Sequence, residues 1–313
     1  MTLLRTATHT RLNTLSVPTI TTPPAASACV ACIGLLLCLA TVPALAGTQH
    51  YQAPLDNVRW EASSAKLHCT LKHEIPLYGE ATFTQSAGEK LRFTLKVKRQ
   101  ASRNKDSAQL RSLPPEWKHQ IPVVDLGSVP VIKGDTPFRL EEGLSRRMLA
   151  ELQKGMFPTF SYRDWADARD QVSVALPGIH IKAALDEFIS CLDQLPDYRF
   201  ADVENTLLHF EFGRHTLSAE DRSRLDAVAR YIKSDPGIKR VEVYGHTDSV
   251  GGKGSNDKLG ERRSLAARQY LIDQGAAAAL FTLKSFGERQ PKASNNTDQG
   301  RAANRRAAVI LVK

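Results

Sequence analysis

The chain has 313 residues, 42% of them hydrophobic and 24% charged, and a formal net charge of +9. That length and balance allow two ordinary domains, each with its own core, and exclude wholesale disorder. A basic excess suits a polyanionic partner or plain solubility, and the export signal described next sets nucleic acid aside.

Residues 1–46 carry Arg5 and Arg11 but no acid, then an apolar run from Ala31 to Val42, then the small-x-small site Ala44-Leu45-Ala46. This order of regions predicts a secretory signal peptide cleaved after Ala46. The apolar run is shorter than the ~20 residues that a membrane-spanning helix needs. Neither Cys38, which follows the bulky Leu37, nor Cys32, which precedes most of the apolar core, suits a lipid acceptor. Cleavage removes Cys29, Cys32 and Cys38, so the Cys29-x-x-Cys32 spacing is no metal or redox motif. Cys69 and Cys191 remain, and in an oxidising compartment two cysteines most simply pair; two buried free thiols are the alternative. Without the two leader arginines, 40 of the 42 basic residues face 33 acids, a net charge of +7.

Residues 47–98 predict β-structure. Leu67, Cys69 and Leu71 alternate with polar neighbours, and Leu91, Phe93, Leu95 and Val97 repeat the period after the turn Ser86-Ala-Gly-Glu89. Residues 99–109 are polar and predict an exposed loop; the stretch around Pro114, Pro115, Pro122 and Pro130 predicts short extended pieces. A helix is predicted over Arg139 to Lys154, where Leu140, Leu144, Met148, Leu149 and Leu152 share a face and Gly155 can end it. Val172 to Leu176 suits a strand. Ile179 to Leu195 predicts a second helix carrying Leu185, Phe188, Cys191 and Leu192, so a bridge to Cys69 would pin that helix to a strand. The Pro158-Thr-Phe-Ser-Tyr-x-Asp-Trp165 cluster fits either a core corner or a docking face.

From about residue 200 the pattern is βαβαββ. Leu207 to Phe212 reads as a strand, and Ser218-Ala-Glu-Asp221 as a capping box opening a helix that Asp235-Pro-Gly237 stops. A strand through Val241 and Val243 ends at Gly245-His-Thr-Asp248. A helix from about Asn256 to Asp273 and strands near Thr282–Phe286 and Ala307–Val312 complete an α+β chain: an N-terminal β-rich domain with helices over 47–199, then a mixed-sheet domain over 200–313.

Phe210-Glu-Phe, Gly245-His-Thr-Asp248, Asn256-x-x-Leu259, Arg262-Arg263 and Gly300-Arg-Ala-Ala-Asn-Arg-Arg306 stand in the order and spacing of OmpA-like domains, the wall-binding modules of outer-membrane anchors and flagellar stators. That resemblance implies a non-covalent grip on the peptide stem of peptidoglycan, where diaminopimelate offers an ammonium and a carboxylate on one carbon. It assigns Asp248 to the ammonium and Arg263 to the carboxylate, with Asn256, Thr247 and Leu259 beside them; an internal Asp248–Arg263 ion pair is the bland reading. A planar guanidinium suits a carboxylate because it can bond it bidentately. Gly245, His246, Asn304, Arg305 and Arg306 would support the loops, the two arginines alternatively meeting wall anions. The family usually has Ser where Gly260 stands and Ala where Ser264 stands, which bears on affinity more than on ligand class.

Enzymatic readings fail. Gly251-Gly-Lys-Gly254 has no Ser or Thr after Lys253, no nucleophile elbow is present, and His246 lacks zinc-ligand spacing to other histidines. The residues point to no metal and no cofactor.

Upstream, Leu67-His-Cys-Thr-Leu71, Ile75-Pro76, Gly79-Glu-Ala-x-Phe83, Leu113-Pro-Pro-x-Trp117, Glu151 through Trp165, and Cys191 resemble the MotY family of flagellar motor proteins. The resemblance places both cysteines in the family's disulfide positions. It implies a periplasmic protein of a Gram-negative cell, part of the T-ring around the basal body. Its N-terminal domain would dock there and help hold stator units, in some species with the partner MotX. The alternative is a general envelope-stabilising wall binder unrelated to motility.

Overall fold

The computed structural model describes residues 47–102 and 107–313. The predicted signal peptide and its cleavage site lie outside the described residues. The N-terminal part holds strands β1 (Thr48–Tyr51), β2 (Glu61–Ala65), β3 (His68–Ile75), β4 (Gly79–Ser86), β5 (Arg92–Val97), β6 (Ser107–Leu113), β7 (Val124–Pro130) and β8 (Phe138–Leu140). Helix α1 (Glu142–Gln153), β9 (Phe157–Arg163), β10 (Gln171–Ala175) and α2 (Lys182–Gln194) complete it. One five-stranded sheet runs β2-β3-β4-β5-β8 and a second β1-β10-β9-β6-β7.

Alternation along β3 and β5 turns Cys69, Leu71, Ile75, Phe93, Leu95 and Val97 inward, as the period of two requires. The two sheets share one core, in which the Phe160 ring of β9 stacks on Phe93 at 5.9 Å and meets Phe138 at 4.9 Å. Phe160 and Tyr162 are therefore core residues, which settles that cluster as a packed corner; Trp165 stacks on Tyr162 at 4.7 Å. Gly155, at φ 72°, ends α1 as expected. The Cys69–Cys191 disulfide forms, and it ties α2 to β3. Closing a loop of 122 residues stabilises by roughly 4–5 kcal/mol in the chain-entropy model.

The C-terminal part comprises α3 (Phe200–Val203), β11 (Asn205–His209), α4 (Ala219–Ser234), β12 (Arg240–His246), α5 (Lys253–Asp273), β13 (Phe281–Gly287), α6 (Asp298–Asn304) and β14 (Arg306–Val312). Its sheet runs β11-β14-β12-β13, with β12 and β13 parallel and the other pairs antiparallel. A second core cluster, from Val203 to Leu311, lies beneath α4 and α5. Ser218 caps α4 by accepting the Asp221 N–H at 3.0 Å. The Asp221 carboxylate turns to the Ser218 hydroxyl and the His209 N–H instead of closing the box on the Ser218 backbone. The two parts meet where Leu67 packs against the second cluster.

Four expectations shift. The stretch read as loop over 99–109 yields to β6 at Ser107, because β6 is paired on both sides, with β7 and β9. The first predicted helix begins at Glu142, since Phe138–Leu140 pairs with β5. β11 ends at His209 rather than Phe212, and Phe210 leaves the ladder to sit over the site. The short α6 interrupts the last two strands of the βαβαββ pattern. Among the described residues no helix is long and apolar enough to cross a membrane.

Candidate functional site

The site forms where β12 ends. Val241 and Val243 anchor the strand in the core, and its last residues, Gly245 and His246, shift register against β13. Helix α5 crosses directly over that end. A Cβ on Gly245 would stand 1.8 Å from the carbonyl oxygen of Gly260, so glycine is required there by backbone approach. The Gly260 position that departs from the family's serine has its own reason: a Cβ there would lie 2.4 Å from the Ser285 hydroxyl, which donates to Asp257 O at 2.8 Å.

Beyond β12 the chain turns through Thr247 and Asp248, both buried. The Thr247 N–H donates to Gly287 O at 2.9 Å, fixing the turn to the end of β13. The Asp248 carboxylate accepts the Val250 N–H at 3.2 Å on one oxygen and Arg305 Nη1 at 3.1 Å on the other. Asn256 Nδ2, in the first turn of α5, donates to Asp248 O at 3.4 Å and to Glu288 Oε2 at 2.6 Å. Leu259 is half-buried on the next turn.

Arg263 is 0% exposed, among the largest fully buried side chains of the protein. Its guanidinium donates to Arg214 O at 2.9 Å, His246 O at 2.6 Å and Glu211 O at 3.3 Å, and lies 5.0 Å over the Phe210 ring. It thus fastens the 210–214 loop to the end of β12. Burial lowers its pKa to about 10, with the Asp248 charge opposing that shift and the Arg305 charge adding to it; the group stays protonated at neutral pH. The internal Asp248–Arg263 ion pair considered from sequence does not form: the acid pairs with Arg305.

The supporting residues take distinct places. Asn304, wholly buried, accepts the Lys292 and Ala293 N–H groups and donates to Ala293 O and to Asn295 Oδ1, stapling the 292–295 loop. Asn295 Oδ1 in turn accepts the Ser249 N–H at 3.3 Å, next to Asp248. Arg306 points away, donating to Gln290 O at 3.2 Å. Three participants carried no sequence signal that singled them out: Glu288 behind Asn256, Ser285 beneath Gly260, and the carbonyl of Arg214. Arg305 and Asp248, 57 residues apart, both lay inside recognised motifs, but nothing in the sequence paired them.

His246 is buried and stacked on Phe286 at 5.3 Å. Burial, then the nearby Arg306, lowers its pKa to about 4. Between the ordinary value near 6.5 and about 4, the unfolded chain binds a proton that the folded chain refuses, so stability falls as pH drops through that window. The full effect is on the order of 3 kcal/mol. Melting temperatures from pH 7 to 4.5 should fall less steeply for His246→Gln than for the unaltered protein; an equal slope would remove His246 as the cause.

Two family models match the chain: the MotY N-terminal domain over residues 51–196 and the OmpA family over residues 209–305. The mixed sheet and the Asp248–Arg263 corner thus belong to an OmpA-like domain joined to a second module. The sodium-type flagellar protein MotY of Vibrio parahaemolyticus is 31% identical over 269 residues, 84% of this chain and 90% of that protein. The chain belongs to the MotY family of flagellar proteins. The C-terminal part alone is 39% identical over 104 residues to the peptidoglycan-associated lipoprotein of Pseudomonas putida, 33% of this chain and 61% of that one. Among solved structures, the peptidoglycan-associated lipoprotein of Burkholderia pseudomallei aligns with 34% of this chain and 89% of that one, at 28% identity and a TM-score of 0.33.

Proposed function

We propose that this is a periplasmic, non-enzymatic motor protein, built in two halves at about residue 199. Its C-terminal half grips peptidoglycan, and its N-terminal half docks on the flagellar basal body and helps hold stator units there, as part of a T-ring and with a MotX-like partner where the species has one. The observation that carries the wall-binding reading is the buried Asp248 carboxylate set in one loop cluster with the Arg263 guanidinium and the nearby Arg305. Opposite charges fixed a few ångströms apart suit the ammonium and carboxylate of a diaminopimelate centre, since charge-assisted bonds to both ends are the strong ones. Asn256, Thr247 and Leu259 border the same corner. Membership of the MotY family supports the motor role.

A chromosomal deletion tests it. Cells should assemble flagella yet swim poorly, residues 200–313 supplied alone should bind sacculi without restoring motility, and residues 47–199 should reach basal bodies but anchor weakly. Normal swimming with a leaky or blebbing envelope would replace the motor role with general envelope stabilisation. Full rescue by residues 47–199 would remove the need for wall anchoring.

A further inference from the structure

Asp248 is 3% exposed, and both of its carboxylate oxygens already have partners, the second of them the Arg305 guanidinium. An incoming ammonium therefore meets a neutralised acid. With the carboxylate buried and its charge already met, an ammonium gains a full counter-charge there by taking the place of Arg305. The other arginine cannot help from outside: Arg263 is fully buried and has committed three of its five N–H groups to backbone carbonyls. Arg305 differs. Its side chain keeps 16% exposure, only two of its N–H groups are engaged, by Asp248 Oδ2 and Phe210 O, and it lines an open cavity of about 780 Å³ together with Phe210, Glu211, Arg214 and Ala302.

We propose that Arg305 is a specificity-determining member of the binding site: a cationic latch that closes on Asp248 in the empty protein, is exchanged for the ligand's ammonium, and then receives the ligand's carboxylate. The inference rests on the wall-binding reading of the site given above. Charge explains what the latch selects. Asp248 and Arg305 are the two charges acting on Arg263. Displacing Arg305 with a simple amine strands two guanidinium groups near each other with one acid already taken. Displacing it with a zwitterion supplies a second anion, so the exchange leaves the net charge of the corner unchanged, whereas the amine raises it by one. Buried unpaired charge is the expensive outcome, which makes the discrimination strong.

Two probes separate the steps: meso-diaminopimelate, and pentane-1,5-diamine, which keeps both ammonium groups and the carbon spacing but has no carboxylate. Each is titrated by NMR into the full chain. The unaltered protein should prefer diaminopimelate at least tenfold. In Arg305→Gln the preference should shrink by at least fivefold, with the diamine binding more tightly than before in absolute terms. Arg305→Lys, a compact charge without the planar fork whose two nitrogens bond Phe210 O and Asp248, should shrink it at least twofold, and it decides the matter if the glutamine variant fails to fold. An unchanged preference in the folded variants overturns the latch. If the unaltered protein does not bind diaminopimelate, or Asp248→Asn binds it equally well, the wall-binding reading itself falls, and the latch with it.

Discussion

Asp248→Asn should weaken retention on isolated sacculi by roughly ten- to a hundred-fold, because charge-assisted hydrogen bonds contribute about 1.5–3 kcal/mol each and 1.4 kcal/mol is a factor of ten. The substitution keeps the shape of the side chain and one acceptor oxygen, so the Val250 N–H retains its partner while the charge is gone. Its sign is the informative part. A non-specific basic surface would hold the anionic wall more tightly once an acid is neutralised, and raised salt would strip it. A pocket for an ammonium does the reverse, so stronger binding by Asp248→Asn would end the assignment. Free diaminopimelate should compete, and an analogue amidated at the carboxylate should compete less. Arg263→Ala is a poorer probe than the resemblance suggests, since it leaves three carbonyls, of Glu211, Arg214 and His246, without their buried donor. Such orphaned groups cost about 1–3 kcal/mol apiece. Arg263→Lys, with fewer donors and no planar fork, should lose both binding and stability in part.

The contrast between these two residues marks where sequence reasoning reached and where it stopped. Periodicity is local, so the inward faces of β3 and β5, the end of α1 at Gly155 and the cap at Ser218 were all legible from neighbours within a few residues. Arg139 and Leu140, the end of β8, were misread as helix because Leu140 falls in step with Leu144 and Met148, and a three-residue strand is too short to display alternation. Helix α6 has no apolar face in Asp-Gln-Gly-Arg-Ala-Ala-Asn; only the Thr297 cap announces it. The insertion of β14 between β11 and β12 is a long-range pairing that no period encodes.

Within the site, residue identities were legible and pairings were not. The motifs drew attention to Asp248, Asn256, Arg263, Asn304 and Arg305, and all five lie around the ends of β12 and α6 or on α5. What sets their roles is depth. Arg263 is an internal fastener because the 210–214 loop folds over it, and Arg305 meets Asp248 because α6 ends beside β12's loop; both facts depend on where the chain returns after dozens of residues.

Gly245→Ala should be the most damaging single methyl in the C-terminal part. The added Cβ would sit 1.8 Å from the Gly260 oxygen and 2.5 Å from its carbonyl carbon. Both obstacles are backbone, so no rotamer change relieves them; α5 must move off β12. That motion opens the packing of Ala267 and Leu271, both fully buried in the second cluster, and it carries Arg263 away from the His246 carbonyl. Overpacking commonly costs about 1–3 kcal/mol, and a backbone-to-backbone clash belongs at or above the upper end. Sacculus binding should fall together with the denaturant midpoint, because the same helix carries Asn256 and Arg263. Gly254→Ala is the control: it lies in the first turn of the same helix, an added Cβ meets nothing within 4 Å, and the gain in helix propensity should raise stability by up to about 1 kcal/mol. If the two alanines shifted the midpoint alike, the close approach of β12 and α5 would be wrong, and with it the reason that the binding corner keeps its shape.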